Sequence, residues 1–188
     1  PGIVAYLQRY PDMEVSAVFH DRVVNLLEEG FDVGIRIGEL PDSSMRAIRV
    51  GQVRRILCAA PQYLETNGMP NSPSELIKHK IVASSTVSPS VDWKFAQGLT
   101  VKVKPRLTVT SNDAAIEAVI NGMGITRLLS YQIESYKASG QLQTLLTDFE
   151  PPPLPIHVIH REGRYASAKV RTFVDLIVAK LRSHHALS

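Results

Sequence analysis

Cysteine occurs once in these 188 residues, at Cys58, so the chain cannot close an internal disulfide. That thiol sits in the apolar run Ile56-Leu57-Cys58-Ala59-Ala60, which reads as a buried, inert sulfur rather than a nucleophile. No apolar run approaches the ~18 residues of a membrane helix. Pro1 to Tyr10 reads as an amphipathic helix, not as a secretion signal. The net charge is only +3 and no basic block is present, which argues against a grip on duplex DNA by this segment itself. There is no phosphate-binding loop, no nucleophile elbow and no zinc-binding helix pair. His157 and His160 fall on opposite faces of a strand, His184-His185 lies in a polar tail, and His20 beside Asp21 reads as a strand-end surface residue more readily than as a general base. Glu28 and Glu29 are adjacent in sequence and splay apart on a helix. The expectation is a chain that is not an enzyme and needs neither metal nor cofactor. Repeats are absent, and the only biased tract is Pro151-Pro152-Pro153.

What the chain does have is a 44% apolar fraction in an alternation of helix and strand patterns. Ile3, Tyr6, Leu7 and Tyr10 share one helical face, and Pro11-Asp12 ends that helix. Met13, Val15, Ala17 and Phe19 alternate with polar residues as in a strand. Asp21 can cap a helix that Gly30 closes, and Phe31 to Ile37 follows as a strand. Strand, helix and strand in tight succession predict a right-handed crossover and a parallel sheet at this point. Strands are then expected at Arg55–Ala60, Ile81–Ala83, Leu107–Thr110, Ile125–Leu129 and Ile156–Ile159, with a hairpin over Asp92–Phe95 and Leu99–Lys104. Helices are expected after Pro61, after the capping box Ser72-Pro73-Ser74-Glu75, after Ser111-Asn112-Asp113, over Ser130–Ser139 and after Ser167. Trp93 and Phe95 share a strand face and read as core rather than as a stacking platform for bases. The polar side of the last helix, with Lys169, Arg171, Lys180 and Arg182, reads as a solvated face.

About eight strands and six or seven helices make an α/β protein. A break in rhythm near Gln52-Val53-Arg54 and the proline connector divide it into two lobes. The expected boundaries are 1–53 plus 160–188 for the first lobe and 54–159 for the second. A chain that crosses twice between lobes makes a two-strand hinge and a cleft. The connector Pro151-Pro152-Pro153 with Pro155 is expected to stay out of any central ladder.

The stretch Glu29-Gly30-Phe31-Asp32-Val33-Gly34-Ile35-Arg36-Ile37-Gly38, followed by Leu40-Pro41-Asp42-Ser43-Ser44, resembles a segment of the effector-binding domain of LysR-type transcriptional regulators. Further elements follow in the family's order: Tyr10-Pro11-Asp12, Ala60-Pro61-Gln62-Tyr63-Leu64 with Gly68 and Pro70, Glu75-Leu76 with His79, Trp93-Lys94-Phe95, Ser111-Asn112-Asp113, Gly122-Met123-Gly124-Ile125, Gly140-Gln141-Leu142 and Lys169-Val170-Arg171-Thr172-Phe173. The resemblance covers nearly the whole chain. It implies a two-lobed fold like type 2 periplasmic binding proteins, built of two Rossmann-like subdomains. It also implies a homodimer or homotetramer in which Ile3, Leu7 and Ile116 or their neighbours are buried between chains; the lone cysteine fits the expected cytoplasmic location. The family's first strand precedes the helix at Pro1, and its DNA contact is made by an N-terminal winged helix-turn-helix. Neither lies in these residues, so the chain is expected to be part of a longer regulator that binds DNA through that other domain. The alternative is a free-standing solute-binding protein of an uptake system.

In an open α/β sheet ligands gather at the carboxyl ends of strands. Four strand-to-loop corners are so placed: Asp21 and Arg22 open a helix, Arg36 and Gly38 follow a strand, Ser84, Ser85 and Thr86 follow another, and Ser111 and Asn112 open a helix, with Gly124 and Thr126 near the neighbouring strand. Two of these corners open helices, where free N–H groups and the helix dipole favour an anion. Arg36 either binds that anion or pairs with Asp32, Glu39 or Asp42. Ser111, Asn112 and Asp21 serve as caps on either reading. The expected partner is therefore a small organic anion held in the cleft.

Overall fold

A computed structural model describes residues 2–19, 29–40, 45–85, 87, 90–161 and 167–187. The chain divides into two compact units, Pro1–Val53 with Leu154–Ser188, and Arg54–Pro153. The second crossing thus lies at residue 153 rather than 159, because the strand that begins at Leu154 pairs with strands of the first unit.

The first unit contains α1 (Gly2–Arg9), β1 (Val33–Ile37) and β2 (Met45–Val53), and after the return β10 (Leu154–Arg161) and α5 (Ala168–Arg182). In the second unit the order is β3 (Arg55–Ala59), α2 (Pro61–Asn67), β4 (Ile81–Ser84), β5 (Asp92–Lys94), β6 (Thr100–Lys102), β7 (Pro105–Val109), α3 (Asn112–Ile120), β8 (Ile125–Leu129), α4 (Glu134–Ala138) and β9 (Gln143–Leu145).

Among its described residues the first unit holds a three-stranded antiparallel sheet in the order β1-β10-β2. Helix α1 lies on α5, with Tyr6 buried edge-on against Phe173 at 4.9 Å between ring centroids. The parallel crossover expected here is not present among the described residues. Met13 to Phe19 carries the alternating pattern but enters no ladder, and Phe19 is 89% exposed. A strand pattern supplies a face but no partner, and a strand is stable only beside another. The helix expected from Asp21 lies outside the described residues. Pro155, expected to keep clear of a central ladder, sits in one opposite Gln52. It lies one residue inside the end of β10, next to a bulge at Ile156/His157, where a missing N–H costs little.

The second unit is built on a five-stranded mixed sheet, β7-β4-β8-β3-β9, in which β7, β4 and β8 are parallel. Its central strands are apolar on both faces, the signature of a sheet covered on both sides. Leu57, Ala59, Ile81 and Ile125 face one layer, with α2, Trp93 and Phe95. Ile56, Cys58, Val82 and Leu128 face the other, with α3 and Ile133. Trp93 and Phe95 are core residues, as their shared face suggested.

Two local expectations change, and one strand is added. The box at Ser72–Glu75 opens a 3-10 turn, Pro73–Lys78, in which the Ser72 hydroxyl makes no cap and Glu75 instead accepts from the Asn71 N–H at 2.8 Å. The helix over Ser130–Ser139 is split by Ile133, whose backbone (φ −108°, ψ 2°) sets its side chain in the core. Strand β9 carries no signal of its own: Leu142-Gln143-Thr144-Leu145 shows no apolar alternation, unlike Trp93 and Val101 in the equally short β5 and β6.

Candidate functional site

The carboxyl ends of β4 and β7 meet the amino end of α3, and four of the expected site residues come together there. The Ser84 hydroxyl, 1% exposed, donates to the Asn112 side-chain carbonyl at 2.5 Å. The Ser85 N–H and hydroxyl both donate to the Val109 carbonyl, at 3.0 and 3.3 Å. Ser111 is the N-cap, its hydroxyl accepting from the Ala114 N–H at 3.4 Å. Helical N–H groups of the first turn point to this corner, so it carries the positive end of the α3 dipole. Asp113 in the same turn offsets part of that charge.

Other expected residues lie elsewhere. Gly124 stands at the amino end of the sheet, against Lys80, and the Ile125 N–H donates to the Lys80 carbonyl at 2.9 Å. The length of β4 separates it from Ser84, about 10 Å at ~3.3 Å per residue. Its glycine has a local cause: φ is +151°, and a Cβ would meet the Lys80 carbonyl oxygen at 2.2 Å. Thr126 is fully buried between Cys58 and Val82, its hydroxyl without a partner. Both therefore fall outside the corner. Ile116, expected at a chain-chain interface, is 4% exposed and packed in the α3 layer of its own unit. Ile3 and Leu7 are half-buried on α1.

In the first unit Arg36 lies within β1, not beyond it, opposite His157 and half-buried. Among the described residues no ion pair joins it to Asp32 or Glu39. The Gly38 N–H donates to the Pro155 carbonyl at 2.9 Å with φ at +110°. Asp21, Arg22 and Thr86 are outside the described residues. An open groove of about 560 Å³ runs along α1 and α5, with Arg9, Asp175 and Lys180 on its walls.

Burial pushes the Cys58 thiol up to about 12, which leaves it protonated and unreactive near neutrality. Glu150 accepts from Arg54 at 2.9 Å, yet burial holds its carboxyl above its ordinary range despite that partner. Among the described residues no group of three or more His, Cys, Asp and Glu converges as a metal site, and no helix is long and apolar enough to cross a membrane.

Sequence reasoning missed one polar cluster. Arg127 interrupts the apolar run of β8, is 6% exposed, and donates to the Lys94 carbonyl at 2.6 Å. The signal was available: one cation inside Ile125-Thr126-Arg127-Leu128-Leu129.

A family model described as the LysR substrate binding domain matches residues 1–182. The chain is 29% identical over 177 residues to the uncharacterized HTH-type transcriptional regulator YcaN of Escherichia coli (strain K12), covering 93% of this chain and 59% of that protein. Among solved structures, the full-length Vibrio cholerae virulence activator AphB, an LTTR family member, superposes with a TM-score of 0.85 at 27% identity, over 96% of this chain and 62% of that one. The CrgA regulatory domain, from a LysR-type regulator of Neisseria meningitidis, gives 0.82 at 28% identity, over 95% and 89%. The chain spans about three fifths of the length of the curated relatives it matches.

Proposed function

Since the chain belongs to the LysR substrate-binding domain family, with its two-lobed, periplasmic-binding-protein-like fold, we propose that it senses a small anionic metabolite and passes that signal to a DNA-binding domain of a longer cytoplasmic regulator. The observation that carries this reading is the corner formed by Ser84, Ser85, Ser111 and Asn112 at the carboxyl ends of parallel strands and the start of α3. Hydroxyls, an amide and a helix amino end suit a carboxylate. Arg36 and Gly38, with Asp21, Arg22 and Thr86, are proposed as further effector contacts. Gly124 and Thr126 are left out for the packing reasons given above. Effector binding acts by favouring one conformational state over another, and DNA binding responds through that shift.

Assembly as a homodimer or homotetramer is part of the proposal, with α1 and its half-buried Ile3 and Leu7 as the contributing surface. Sedimentation of the purified chain tests this: a concentration-dependent dimer supports it, and a monomer at all concentrations refutes it. A thermal-shift screen of small carboxylic acids tests the sensor. A true effector raises the melting temperature by mass action, and Asn112→Ala abolishes the rise. A rise that Asn112→Ala and Ser84→Ala both leave intact removes the corner from the site.

A further inference from the structure

We propose that Arg127, Arg55 and Trp93 form an anion-binding subsite for a single carboxylate or phosphate group, on the face of the five-stranded sheet opposite α3 and separate from the Ser84–Asn112 corner. Register places them together. Leu57 pairs with Arg127 and Arg55 with Leu129 on adjacent antiparallel strands, so both arginines point to the layer that holds Leu57 and Ile125. Diagonal neighbours of this kind are about 7–8 Å apart. The Arg127 guanidinium lies over the rings of Trp93 and Phe95, 5.7 and 5.6 Å from their centroids.

The three side chains of this cluster carry donors and no acceptor. A guanidinium offers five N–H groups, and among the described residues Arg127 finds only the Lys94 carbonyl for them. No carboxylate pairs with Arg127 or Arg55 among those residues. Trp93 is 1% exposed and its indole N–H has no acceptor. A buried cation without an acid, next to a second cation, is costly unless an anion neutralises both. Burial, and then the nearby Arg55, hold the Arg127 guanidinium down at about 10. Arg55 is half-buried and gives the subsite its access to solvent. A ring-stacked arginine whose only task was to staple the β5–β6 hairpin to the sheet would need neither a second arginine beside it nor a ring N–H left without an acceptor.

Trp93 is the single tryptophan, so its fluorescence reports on this subsite alone. The experiment titrates the protein with sodium phosphate and, separately, sodium acetate, with sodium chloride holding ionic strength constant. The expected result is a saturable change in Trp93 emission with at least one of the two, weakened about tenfold or more by Arg55→Gln, since a charge-assisted hydrogen bond is lost. Saturation with phosphate alone assigns a phosphate ester, and with acetate alone a carboxylic acid. Arg127→Lys keeps the charge, loses the fork and weakens binding too; if it fails to fold, Arg55→Gln on the half-buried arginine carries the test. No saturable change with either salt, or one that Arg55→Gln leaves unaltered, overturns the proposal. Failure of the effector screen with Asn112→Ala leaves this result unaffected, because the two sites lie on opposite faces of the sheet.

Discussion

The two units spend the same alphabet differently. The second encloses a sheet between two apolar layers, so that β3 from Ile56 to Ala59 and all of β8 are buried. In the first, among the described residues, β1 pairs on one side only, with Ile35 56% exposed and Ile37 36% exposed, and Met13–Phe19 enters no ladder. A covered sheet converts each substitution into a packing defect, whereas an open edge tolerates it. The lesson is that Ser84 and Asn112 join at the rim of a closed core, while Arg36 and Gly38 lie on or beside a strand that, among the described residues, is paired on one side only.

That contrast can be broken most forcefully in the buried layer. Leu128→Ala, at a fully buried position, is expected to cost about 2–5 kcal/mol in urea unfolding, and Ile35→Ala on β1 less than ~0.5 kcal/mol. Equal losses would erase the distinction. Glycines sharpen it. Gly124→Ala drives a Cβ into the Lys80 backbone from a φ of +151°, and the backbone strain alone is worth about 1–3 kcal/mol. Gly51→Ala in the first unit meets the Leu187 carbonyl at 2.3 Å, but Leu187 belongs to the short turn His185–Leu187 near the chain end. It is expected to cost less, because that turn can shift.

Smaller effects test the polar features. Ser84→Ala deprives Asn112 of a buried donor and is expected to cost about 1–3 kcal/mol. For Cys58 the folded pKa is raised to about 12, so burial favours the neutral thiol. Its stabilising contribution is complete below the unfolded thiol's pKa, near 8.5–9. It is lost as pH rises from there towards 12, at up to ~1.4 kcal/mol per pH unit. Urea titrations at pH 8 and pH 10 are expected to show that loss, and Cys58→Ala to remove it. Smallest of all, Arg54→Ala breaks an ion pair whose arginine is 53% exposed, and a loss below ~1 kcal/mol is expected.

Legibility follows locality rather than the divide between units. Helices α1 and α5 and strands β1 and β10 of the first unit were as readable as β3, β4, β7, β8, the β5–β6 hairpin and the Ser111 cap of the second, because each carries its signal within a few residues. What failed were features that depend on a partner distant in sequence. Met13–Phe19 has the pattern without a neighbour, and Pro155 joins a ladder because β2 and the adjacent bulge accommodate it. Ser84, Ser85, Ser111 and Asn112 were chosen as strand-end and helix-start residues, and that logic brought them to one corner. Gly124 and Thr126 were added as residues near the neighbouring strand, but β8 runs parallel to β4 and starts only at Ile125, so they sit at the amino end and in the middle of the sheet. Arg127 was overlooked because periodicity rewards apolar residues and passes over the single cation among them.

Amide hydrogen exchange with and without an effector found in the carboxylate screen tests the central claim most directly. The account predicts added protection at Ser84, Ser85 and the first turn of α3 from Asn112 to Ala115, and none along α1 and α5. Protection confined to the groove near Arg9 and Lys180, with the Ser84–Asn112 corner unchanged, would contradict it.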